Sequence, residues 1–375
     1  MSYTYYEEVH SLQRRKLADD KARERLSDVE FNLDIVNEIN RQAKQNNPYL
    51  LNLLIDMQAS YDSTGKYTNV NASESKMEHE SSLMKVGDDI GVYFVLNTVD
   101  TTDCSSANQN AKGYIWLKST GELINLTEKL GTYFATGRVQ HKTDEDVIIV
   151  KDENGNAYLV CYTDEMWVIK QFTNNSGVTL DGCNSQMLFR DGKFYHIVCR
   201  ETTSTFPIVV FDLDAMTIEL VASTINLPLS FQGVYEASMY EFNESIYVGL
   251  RPSYKSLRRG YLGLALVGIL EDMETLPTVN EYIMLPDGSS RILLFEQNSR
   301  LFCITNGFNR TNGRLFDVTN IHAYEPVAQI LNNVNYPDIM LDDSGTLHYS
   351  ATDKKNTSAG CKVVYGTFPY TDLLK

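Results

Sequence analysis

From about residue 83 onward the chain repeats one pattern: an apolar strand, a turn rich in Gly, Asn or Asp, and a second strand with an aromatic ring near its start. It recurs in "GDDIGVYFVLNT" from 87, "DVIIVKDENGNAYLVCYT" from 146 and "SQMLFRDGKFYHIVCRET" from 185. It returns in "ASMYEFNESIYVGLRP" from 237, "SRILLFEQNSRLFCITNG" from 290 and "PDIMLDDSGTLHYSATD" from 337. The turns NG, DG, NES, QNS and SG are hairpin chemistry, because these residues tolerate the positive φ of a tight turn. The second strands are anchored by Tyr93, Tyr158, Tyr195, Tyr247, Phe302 and His348, 37 to 65 residues apart. A four-stranded unit returning at such a period is what a β-propeller requires. A sandwich or jelly roll does not explain why one hairpin recurs throughout. The expected fold is therefore mainly β: a five- or six-bladed β-propeller over 83–375. The final strands "GCKVVYGTF" (360–368) are candidates to complete a blade begun elsewhere and close the ring.

The first 60 residues differ. "EEVHSLQRRKLADDKARERLSDVEFNLDIVNEINRQAKQ" lacks Gly and Pro and is rich in helix formers. Leu26, Val29, Leu33, Val36 and Asn40 step by 3 and 4, and Phe31, Ile35 and Ile39 form a second apolar stripe. A turn before Pro48 leads into a second apolar helix ending near Met57. Residues 1–60 thus read as an N-terminal α-helical segment, either a hairpin packed on its own domain or an oligomerising or docking stem. Residues 61–82, polar and rich in Ser and Asn, read as a linker.

The formal charge of −16 argues against nucleic acid as a partner. No window has the length and apolarity of a membrane span, so no membrane insertion is expected. The N-terminus lacks the apolar core of a signal peptide, which points to synthesis in the cytoplasm. Cys104, Cys161, Cys183, Cys199, Cys303 and Cys361 show no CxxC or CxxH spacing and read as free thiols without a metal. No phosphate loop, dinucleotide fingerprint or paired-His motif is present, so no cofactor is expected.

Candidate chemistry centres on "VYEASMYEFNESIYVGLR". Glu236 opens one strand and Arg251 closes the next, 15 residues on. Arg310 follows in "NGFNRTNG" and Tyr336 in "NYPDIMLDDSGTLHYS". This order and spacing resemble the sialidase-like propellers, also known for bacterial neuraminidase (BNR) repeats. The resemblance implies a retaining glycoside hydrolase with Tyr336 as nucleophile, Glu236 assisting its deprotonation, and arginines holding a substrate carboxylate. A tyrosine needs such a neighbour because its hydroxyl is ordinarily neutral, and guanidinium forks match carboxylate oxygens. Arg138 in "ATGRVQH" is the early arginine candidate, out of the family's usual context, and Asp100 and Asp103 are the candidates for an acid. Against this, Glu236 and Arg251 also read as binding or structural residues at a strand end, and Tyr336 as a packed tyrosine. "DDSGT" (342–346) is a fragment of the family's aspartate box and reads as a turn.

A helical segment ahead of a propeller resembles phage tail-fibre and receptor-binding proteins. That layout implies a homotrimer, contacts with other tail proteins through residues 1–60, association with a virion, and a cell-surface polysaccharide as ligand. The loop "RPSYKSLRRGY" would contribute Tyr254, Lys255 and Arg258 beside Arg251 and Arg310. Glycan binding is the first expectation, hydrolysis the second, and a propeller scaffold for another protein the third.

Overall fold

The computed structural model describes residues 67–69, 77–97, 111–142, 145–180, 185–200, 203–227, 233–252, 265–285, 291–306, 312–332, 334–342, 344–353 and 362–369. The helical segment expected over 1–60 lies outside them. What is described is six antiparallel sheets arranged as blades.

β1 (Tyr67–Asn69) comes first and belongs to the last blade. Blade 1 is β2 (Met77–Val86), β3 (Asp89–Asn97), β4 (Lys112–Leu117) and β5 (Leu123–Asn125), followed by the short helix α1 (Leu126–Leu130). Blade 2 is β6 (Phe134–His141), β7 (Asp146–Asp152), β8 (Ala157–Thr163) and β9 (Met166–Gln171). β10 (Thr173–Asn174) then lies parallel to the outer strand of blade 3. That blade is β11 (Leu188–Arg190), β12 (Lys193–Ile197), β13 (Ile208–Asp212) and β14 (Thr217–Ala222). Blade 4 is β15 (Val234–Phe242), β16 (Ser245–Pro252), β17 (Ala265–Glu271) and β18 (Thr278–Leu285). Blade 5 is β19 (Ile292–Gln297), β20 (Arg300–Asn306), β21 (Asn312–Asn320) and β22 (Ala323–Asn332). Blade 6 is β23 (Val334–Leu341), β24 (Thr346–Asp353), β25 (Lys362–Pro369) and, outermost, β1.

The hairpins form where the turn residues demand them. Asp191–Gly192, Asn243–Glu244 and Asn298–Ser299 all have positive φ at both positions, from 48° to 74°. This is the two-residue turn whose twist matches that of the strands it joins. The DDSGT fragment is a side-chain-capped turn. Oδ1 of Asp342 accepts hydrogen bonds from the backbone N–H groups of Ser344 (2.9 Å) and Thr346 (2.8 Å) and from Oγ of Ser344 (2.6 Å). Asp152 does the same for Asn154 and Asn156 in the turn between β7 and β8.

Each blade packs against a neighbour on both faces, so its middle strands are not half-polar. Val147, Ile148, Ile149 and Val150 of β7 are all buried. Six separate apolar clusters result, one between each pair of adjacent blades. The smallest among the described residues joins blades 1 and 6 through Leu83, Val92, Phe94, Val363 and Tyr365. There the Trp116 and Tyr365 rings lie 5.4 Å apart, and Tyr365 Oη shares a 2.7 Å hydrogen bond with Nδ1 of buried His348.

Three expectations are corrected. The 360–368 stretch is the third strand of its own blade; β1 supplies the fourth, pairing Tyr67 with Gly366 and Asn69 with Val364. Consequently the stretch expected as a linker (61–82) contains β1 and the first part of β2. Of its polar residues, Glu80, Ser81 and Ser82 are buried in β2. Finally, Tyr158 lies in β8, the third strand of blade 2, not in its second. With β7 restored to that place, the second strands begin at Asp89, Asp146, Lys193, Ser245, Arg300 and Thr346, an even period of 46 to 57 residues.

Candidate functional site

The first strands of the blades line the axis, where β2 meets β6 and β23, and β15 meets β11 and β19. Four of them carry an irregularity near the same end: β2 between His79 and Ser82, β6 between Phe134 and Thr136, β15 between Val234 and Glu236, β23 between Asn335 and Asp338. An extra residue in a strand turns side chains out of the regular alternation. Glu80 and Tyr336 sit within two of these irregularities with φ of 57° and 50°. For bulky side chains this left-handed conformation is rare, and it concentrates at functional sites.

These strand ends bring together three cations and three carboxylates, all buried: Arg138, Arg251 and Arg291 with Glu80, Glu236 and Asp338. Glu236 pairs directly with Arg251 across the β15–β16 ladder. Three guanidinium groups surround its carboxylate. Arg291 Nε is 3.2 Å from Oε1, Arg138 Nη1 is 3.8 Å from Oε1, and Arg251 Nη1 is 4.0 Å from Oε2. Arg138 Nη2 also reaches Oδ1 of Asp338 at 3.4 Å, and Oδ2 of Asp338 accepts from the backbone of Leu83 at 2.8 Å. Arg291 Nη1 donates to the carbonyl of Ser81, and its guanidinium lies 5.5 Å from the centre of the Tyr336 ring. Ser81 Oγ donates to the carbonyl of Tyr336 at 3.3 Å, tying blade 1 to blade 6.

Burial sets the electrostatics. It pushes the Glu80 carboxyl up to about 7; Glu236 adds to the rise, while Arg291, the backbone of Gly137 and Lys151 oppose it. Burial and the nearby Arg291 charge lower Arg138 to about 10, against the pull of Asp338 and Glu236, so it stays charged at neutral pH. Cys199 lies close by, its Sγ 3.7 Å from Oγ of Ser185, and burial pushes its thiol up to about 12. It is an inert thiol, not a nucleophile.

Next to Ser238 of blade 4, Gln186 bridges blade 3 to blade 5. It donates to the carbonyl of Leu294 (2.7 Å) and accepts from the Leu294 N–H (2.9 Å). Beyond it, toward the far ends of the same strands, lies a cavity of about 430 Å³ lined by residues that include Met187, Phe189, Met239 and Phe295, with Glu241 and Glu296 among the polar ones.

Glu236, Arg251 and Tyr336 are thus brought to one axial site. Arg310, Tyr254, Lys255 and Arg258 lie outside the described residues, as do Asp100 and Asp103. Arg138 is at the centre of the cluster although its local context matched no motif. Arg291, Glu80 and Asp338 escaped sequence reasoning. Arg291 carried one available signal, a charged residue directly before the apolar run "ILLF". The first strand of blade 1, where an early arginine would be sought, carries Glu80 instead. Among the described residues no group of three or more His, Cys, Asp or Glu is placed to hold a metal ion, and no helix is long and apolar enough to cross a membrane.

No family model matches the chain, and no curated protein matches it in sequence. Solved structures do match. The sialidase of Trypanosoma rangeli in complex with the inhibitor DANA superposes with a TM-score of 0.54 at 11% identity, over 83% of this chain and 59% of that one. The same enzyme with 2,3-difluorosialic acid, a covalent intermediate, gives 0.53 at 11% identity, over 84% and 58%. This chain therefore spans less than two thirds of these sialidase chains. At this identity the likeness concerns the fold, and the fold is a sialidase-like six-bladed β-propeller.

Proposed function

We propose that the protein is a glycan-binding propeller that recognises a cell-surface polysaccharide at its axial mouth without cleaving it. The observation that carries this reading is the closure of three arginines around Glu236. In a carboxylate-binding enzyme such guanidinium groups serve the substrate; here they serve the protein's own side chain. Binding at the mouth would continue into the loop sequences that carry Tyr254, Lys255, Arg258 and Arg310.

A glycan array with the full chain, followed by titration calorimetry, tests this. Saturable binding to at least one polysaccharide is expected, and silence across bacterial and host glycans would overturn it.

One observation favours a second reading, a retaining hydrolase. Tyr336 is held in a strained conformation with its ring against Arg291, as a positioned nucleophile would be. A panel of fluorogenic glycosides decides: turnover abolished by Tyr336→Phe would establish hydrolysis.

The layout proposed with the binding reading is a receptor-binding protein of a phage tail. In it, residues 1–60 form a trimeric stem that docks on other tail proteins, and the protein leaves the cytoplasm as part of the virion. What supports it is the helical pattern ahead of a glycan-type propeller.

A further inference from the structure

Arg291 and Glu236 meet at one point only. Nε donates to Oε1 at 3.2 Å. A fork-to-fork pair would also join the neighbouring nitrogen to the second oxygen. Here those two atoms, Nη2 of Arg291 and Oε2 of Glu236, are buried and have no hydrogen-bond partner among the described residues. Arg251 stands 4.0 Å from Oε2, close enough for Coulomb attraction but beyond a hydrogen bond. Leaving a buried polar group unmade costs about 1–3 kcal/mol, and more for a charged one. The cluster therefore holds an open donor and an open acceptor on the same ion pair.

The group that completes such a pair must accept one hydrogen bond and donate another. A hydroxyl does both; a carboxylate only accepts. A carboxylate would satisfy Arg291 but would face Oε2 of Glu236. It would also add a negative charge to a cluster whose three arginines are already matched by Glu80, Glu236 and Asp338.

We propose that Arg291 and Glu236 are the hydroxyl-reading pair of the mouth: a hydroxyl of an uncharged sugar bridges Arg291 Nη2 and Glu236 Oε2, and acidic sugars are disfavoured. This inference rests on the glycan-binding reading and names the class of sugar taken at its centre.

The test is saturation-transfer NMR on the full chain at pH 8, above the value of about 7 to which Glu80 is raised, so that Glu80 is largely ionised. The probes are the methyl glycosides of glucose, galactose, mannose and N-acetylglucosamine against those of glucuronic acid and N-acetylneuraminic acid. At least one neutral glycoside is expected to bind, with the acidic ones weaker by about tenfold or more. Deoxy analogues of the bound glycoside should reveal one hydroxyl whose removal weakens binding by about tenfold. In Glu236→Gln the preference for neutral sugars should shrink; if that variant does not fold, the wild-type comparison decides alone. Acidic glycosides binding as tightly as neutral ones, or no single hydroxyl mattering, would overturn the inference and leave the glycan reading intact. Binding by neither class here, and by no polysaccharide on the array, would overturn both.

Discussion

Glu80 is the residue whose burial has the clearest measurable consequence. Its folded carboxyl titrates near 7 against an ordinary value of 4.5. Between those values the folded protein binds more protons than the unfolded chain, so stability falls as pH rises through that window. The contribution is fully present below about 4.5 and gone above about 7. Its size is about 3 kcal/mol at 1.36 kcal/mol per unit. Urea unfolding of wild type and Glu80→Gln from pH 4.5 to 8 should show the difference in stability shifting by that amount toward the variant. Titrations of groups remote from Glu80 are common to both proteins and cancel; a pH-independent difference would refute the assignment. Exposed Glu244 makes a second case, with φ of 64° in the β15–β16 turn. Left-handed backbone costs a β-carbon about 1–2 kcal/mol, while glycine gives back part of that gain through unfolded-state freedom. Glu244→Gly is expected to stabilise the protein by up to about 1 kcal/mol in denaturant unfolding.

At the scale of elements, β1 is the strand that completes the ring. Removing residues 1–69 takes away three backbone pairs and leaves β25 as an open edge. At about 0.2–1 kcal/mol for each cross-strand pair, a loss of roughly 1–3 kcal/mol is expected. Hydrogen exchange should locate it: amides of β25 around Val364 and Gly366 should lose protection, while those of β12 and β13 keep theirs. Unchanged protection in β25 would mean that β1 contributes nothing to closure. The same strand shows why some elements were legible in the sequence and others were not. Hairpins such as that around Asp191–Gly192 are local chemistry, written in adjacent residues. Blade 2 was misphased because its most visible turn, Asn154–Gly155, joins the second and third strands, while the first hairpin turns through Lys142–Glu145 without a glycine. β1 carries no signal of its own, since its three residues take their meaning from a partner at the other end of the chain. The site follows the same rule. Glu236 and Arg251 share one hairpin and could be found together. Arg291 and Ser81 touch across 210 residues, and only a closed ring joins them.

For the whole molecule, the axial cluster and the stem make separate claims. The ring is held by six interblade cores and needs no partner chain to bury them, so the propeller is expected to stay folded as a monomer. Light scattering on the full chain and on a chain beginning at residue 61 tests the proposed stem: a trimer that becomes a monomer on truncation is expected. A monomer in both cases would remove the stem from the proposal while leaving the mouth untouched.

Because β1 lies on the rim of blade 6 and is the first described strand, any pull on the chain ahead of Tyr67 meets its three residues first. Tension applied there would peel β1 from β25 one pair at a time before it loaded any core. The next barrier would be the seam between blades 1 and 6, whose cluster is the smallest of the six among the described residues. The molecule thus has a built-in mechanical fuse, placed between whatever holds its N-terminus and the mouth on its axis.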